Sequence, residues 1–89
     1  MSTNVVYPAA EVANLRTTAA LFHAPRLRQL AEVTRSHPSD TTHRGWQEEL
    51  RQMAHGLDLL LADEISPVET EVRDRALALL GRRLPDLWS

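Results

Sequence analysis

Trp46, Leu50, Met53, Leu57 and Leu60 follow one another at spacings of 4, 3, 4 and 3 residues. That interval keeps five apolar side chains on one side of an α-helix, the seam with which a helix lies against another. Leu59, Leu60 and Leu61 in succession widen the face beyond a two-position stripe. The pattern predicts a helix over 40–64, with Ser39 or Asp40 able to cap it by accepting free backbone N–H groups. Gly56 inside that stretch costs about 1 kcal/mol relative to alanine, which predicts a neighbouring backbone passing close beside Ala54 and Gly56.

Three further segments carry the helical period. Pro8 stands where a first turn tolerates proline, and Val12, Leu15, Ala19 and Phe22 then recur at 3, 4 and 3, predicting a helix over 8–23 with those four side chains inward. Ala24-Pro25 predicts a break, because proline disfavours helix at the residue before it. A short helix is expected over 25–35, with Leu27, Leu30, Ala31 and Thr34 inward. Ser36-His37-Pro38-Ser39-Asp40 is dense in turn formers and predicts the main loop.

Ser66-Pro67-Val68-Glu69 is the strongest boundary in the chain. Serine caps, proline takes the first helical position, and glutamate reaches back to the cap N–H. A fourth helix follows over 67–82 through Val72, Ala76, Leu77, Leu79 and Leu80, with Gly81 as its expected stop. Leu84 to Trp88 is apolar enough to fold back on the helices. The expected fold is all-α, a single domain over 1–89 built as a small bundle of about four helices, 8–23, 25–35, 40–64 and 67–82.

Composition sharpens this. Phe22, Trp46, Tyr7 and Trp88 are the only aromatics in 89 residues, so Leu, Ala and Val must build the core. There is no cysteine, which excludes disulfides, thiolate metal sites and a thiol nucleophile. For so short a chain this favours a reducing compartment, and with no secretory leader pattern and no apolar run near ~18 residues the expectation is cytoplasmic. All ten basic residues are arginine, so lysine chemistry is unavailable. Residues 1–46 hold five arginines against three acids, and residues 47–89 hold five against nine.

No catalytic constellation emerges. The four histidines lack a metal-ligand spacing, and no glutamate completes a His-Glu-x-x-His. Glu48-Glu49 and Asp63-Glu64 are helix neighbours pointing about 100° apart, so neither forms an acid/base pair. No Gly-x-Ser-x-Gly turn or phosphate loop is present. We therefore expect no enzyme, no metal and no cofactor.

The remaining expectation is a protein-binding module that docks through an apolar helix face onto another protein or a second copy of itself. The face of Trp46, Leu50, Met53, Leu57, Leu60 and Leu61 reads as too broad for four short helices to cover, with Trp88 as an added anchor and Arg26, Arg28 and Arg35 selecting an acidic surface. The alternative is a small transcriptional regulator contacting nucleic acid through the same three arginines. The acidic balance disfavours it, as does Thr34-Arg35-Ser36 standing where a helix-turn-helix wants glycine between apolar residues.

Overall fold

The computed structural model describes residues 14–87; Val12, the helix start at Pro8 and Trp88 lie outside them. Among the described residues the chain is all-helical with no strand. Three α-helices, α1 (Leu15–Val33), α2 (His43–Leu60) and α3 (Pro67–Arg83), are followed by a 3-10 turn, Leu84–Asp86. The expectation of about four helices is thus slightly off, because the two segments on either side of Pro25 are one helix.

Pro25 does not break α1. Proline in a helix interior removes one N–H and crowds the carbonyl four residues back, at about 3 kcal/mol. Here its ring faces solvent, while Ala20, Ala24, Leu27 and Ala31 on either side of it are buried together. That burial holds the helix straight through the site the sequence marks as a break. Arg26 Nη1 also donates to the Phe22 carbonyl at 2.8 Å, a side-chain partner within the turn that the proline disturbs.

The inward face of α1 differs from the expected one. Leu15 and Phe22 point away from the core and Ala19 is only half-buried, whereas the small side chains Ala20, Ala24 and Ala31 face inward with Leu27. Small residues let α1 approach α2 closely. Leu27, Ala31 and Thr34 lie inside as the pattern predicts, with Leu30 half-buried at the edge.

α2 is the central element. α1 and α3 each pack on it, and their backbones do not approach one another. The radius of gyration is 14.6 Å, against ~12 Å for a compact chain of this size. On the α1 side, Gln47 Nε2 donates to the Ala31 carbonyl at 2.8 Å, satisfying one of the orphan carbonyls at the end of α1. Arg28 pairs with Asp58 along the same flank. On the α3 side, a Cβ at Gly56 would lie 2.3 Å from Ala76 Cβ, so the glycine marks the close crossing that its position predicts.

The helix boundaries follow local chemistry. α2 starts at His43 and its cap is Thr42, whose hydroxyl accepts from the Gly45 N–H at 3.0 Å, rather than Ser39 or Asp40. Asp40 is engaged elsewhere, with Arg83. α2 stops at Leu60, short of the expected 64. The Ser66 capping box forms as predicted: Glu69 N–H donates to Ser66 Oγ at 3.1 Å, and Ser66 N–H donates to Glu69 Oε1 at 3.0 Å. α3 runs through Gly81 to Arg83, and Leu87 turns back against the core.

Candidate docking surface

The expected docking seam lies inside the molecule. Trp46, Leu50, Met53 and Leu57 form the centre of the core, Trp46 retaining 1% of its surface, and Leu60 packs half-buried against them. The premise that the chain cannot cover this face does not hold: the inward faces of α1 and α3 and the returning Leu87 enclose it. Of that set only Leu61 is exposed, at the end of α2. The three arginines do not form one cluster. Arg26 lies on the outward side of α1 over Phe22, Arg28 is engaged with Asp58 on the α2 flank, and Arg35 lies beyond the end of the helix.

Of the eight large apolar side chains exposed among the described residues, four belong to α1: Leu15, Leu21, Phe22 and Val33. Leu15, Phe22 and Val33 keep 61%, 52% and 56% of their surface exposed. With Ala19, Arg26 and Gln29 they occupy positions 15, 19, 22, 26, 29 and 33, spaced 4, 3, 4, 3 and 4, which is one continuous stripe on a helix. α1 therefore has two faces, a narrow inner one of small residues and an outer one with larger apolar groups.

The middle of this outer stripe is ordered by its aromatic ring. The Arg26 guanidinium sits 3.8 Å from the centroid of Phe22, a cation–π contact, while its Nη1 bonds the Phe22 carbonyl. The His23 ring meets Phe22 edge-on at 5.0 Å. Beside the stripe, Leu27, Leu30, Leu84 and Leu87 with His23 and Arg26 line a groove of about 320 Å³ between α1 and the 3-10 turn. Leu84 projects there with 56% of its surface exposed.

A second constellation has no counterpart in the sequence reading. Arg83, only 7% exposed, binds Glu49 bidentately through Nε at 2.8 Å and Nη2 at 3.3 Å. Its Nη1 reaches Asp40 at 3.0 Å and Asp86 at 3.5 Å. The guanidinium also stands 5.7 Å from the ring centroid of Trp46. One cation thus ties α3 to α2, to the α1–α2 loop and to the 3-10 turn. Its hydrogen bonds to Glu49 and then Asp40 hold it firmly protonated, while Arg83 lowers the Asp40 carboxyl below its ordinary value. A buried guanidinium that joins carboxylates from three segments is a structural clamp.

Among the described residues no three His, Asp or Glu side chains gather to hold a metal ion. Among the same residues no helix is long and apolar enough to cross a membrane. The chain matches no family model, no curated protein and no solved structure.

Proposed function

We propose that this chain is a non-enzymatic protein-binding module, a small adaptor, chaperone or inhibitor-like regulator, that docks through the outer face of α1. One observation carries the reading: Leu15, Phe22 and Val33 stand exposed at helical spacing with no element of the described chain over them. Burial of that stripe supplies the affinity, at about 25 cal/mol per Å² of apolar surface before the costs of association. Arg26, centred in the stripe, supplies orientation by favouring an aromatic or acidic group opposite it. The cysteine-free composition fits a module working in the reducing cytoplasm.

The test is retention of protein on the immobilised full chain, compared with a Leu15→Asp/Phe22→Asp variant. Both positions are exposed, so the variant keeps its helical circular dichroism. The proposal expects the wild-type chain to hold a stoichiometric protein, a second copy of itself included, that the variant releases. Equal retention by the two chains would refute it.

A further inference from the structure

We infer that the occupant of the α1 outer face is a second copy of the chain, paired α1 against α1 in antiparallel register. This rests on the docking reading above and names its partner.

The stripe is its own complement when reversed. A two-fold axis across the outer face, midway between Phe22 and Arg26, brings Leu15 opposite the second copy's Val33, Ala19 opposite its Gln29, and Phe22 opposite its Arg26. Each copy therefore sets a guanidinium against the other's ring, in the pairing that each chain already makes within itself at 3.8 Å. Apolar ends meet apolar ends. No charge on the stripe meets its like, because Arg26 is its one ionised side chain. In parallel register the same stripe would stack Arg26 on Arg26 at the centre of the contact, which like-charge repulsion disfavours. An isologous two-fold contact requires a surface that is self-complementary in this way.

The flanks agree with this arrangement. The positions bordering the stripe on one side are Arg16, His23 and Leu30, and on the other Thr18, Pro25 and Glu32. Antiparallel pairing sets each border against its own kind, so Glu32 is directed toward Thr18 and Arg16 toward Leu30, with no pair of like charges. Pro25, which α1 tolerates because it faces away from the core, falls on this border. The groove at Leu30 and Leu84 opens along the other border and extends the apolar area beyond the helix.

Size sets the expected strength. α1 has 19 residues and is therefore about 28 Å long, so a single helix pair falls at the low end of specific interfaces, near or below ~1,200 Å² in total. The dimer is expected to be concentration-dependent, forming between ~10 μM and ~1 mM.

Multi-angle light scattering of the full chain across that range tests the association. Register is then tested in the same protein, which offers no native thiol. Leu15→Cys and Val33→Cys chains, each alone and mixed, are oxidised with glutathione disulfide. The expected results are a rise in mass from 10.0 kDa toward twice that value, and a covalent dimer that is strong in the mixture and weak in either chain alone. Phe22→Arg, which sets a like charge against the second copy's Arg26, should raise the dimer dissociation constant by about tenfold or more with helicity unchanged. A strict monomer at ~1 mM would overturn the inference, as would cross-linking of Leu15→Cys to itself in preference to the mixture. If the chain is monomeric yet retains a different protein that Leu15→Asp/Phe22→Asp releases, the docking face survives and the second copy is excluded. If neither occurs, both readings fall.

Discussion

At the scale of the residue, steric fit decides whether the same substitution helps or harms. Gly56→Ala would gain about 1 kcal/mol of helix propensity, but its new Cβ meets Ala76 Cβ at 2.3 Å, and overpacking costs about 1–3 kcal/mol. The net expectation is destabilisation by up to about 2 kcal/mol, seen as a lower urea midpoint. Gly81→Ala adds the same group where nothing lies within 4 Å. The position is exposed and its φ is not positive, so a gain of about 0.5–1 kcal/mol is expected in the same titration. The first of these was legible in the sequence, because glycine within a strongly amphipathic stretch needs a reason. The Arg83 clamp was not legible, because its acids lie 43, 34 and 3 residues away and no periodicity connects them. Only the fold brings Asp40 and Glu49 to one guanidinium, and the competing role of Asp40 as a cap concealed it.

At the scale of the element, local rules sufficed where no tertiary contact opposed them. The capping box at Ser66 and Glu69 set the start of α3, and the period of Trp46 to Leu60 identified the buried face of α2. They failed in α1. Its largest apolar residues recur with the helical period, so periodicity selected Leu15, Ala19 and Phe22 as the inner face. Alanine packing against α2 selected the opposite side instead, and the same packing carried the helix through Pro25. If Pro25 is tolerated against its intrinsic cost, then Pro25→Ala should stabilise the chain. The expected gain is about 1–2 kcal/mol, less than the full helix-interior penalty because proline also restricts the unfolded chain. Thermal melting should register it as a rise of about 4–16 °C. No change in midpoint would mean that the proline is accommodated without strain.

At the scale of the whole molecule, stability depends on carboxylates that are charged when folded. Asp40 is held below its ordinary 3.8 chiefly by the hydrogen bond from Arg83, and Glu69 below its ordinary 4.5 chiefly by the Ser66 backbone N–H. A lowered folded value means that the contribution is complete above the ordinary value and is lost as pH falls through the folded one. The melting temperature should therefore be insensitive to these groups at neutral pH and fall below about pH 4.5. An Asp40→Asn/Glu69→Gln chain should be less stable at pH 7 and show a shallower acid limb, and an acid limb identical to wild type would remove these two groups as its cause. The all-helical class was legible at this scale, since four aromatics and abundant Leu and Ala leave little else. The open arrangement, with α1 and α3 leaning only on α2, was not, because the width of an apolar stripe does not say how many helices share it. The position of Trp46 has an optical consequence. Sealed beneath the Arg83 guanidinium, its indole is an internal gauge of the clamp. In a Trp88→Phe background its emission should be blue-shifted and resistant to acrylamide, and Arg83→Met should redden it and admit the quencher while far-ultraviolet dichroism stays helical.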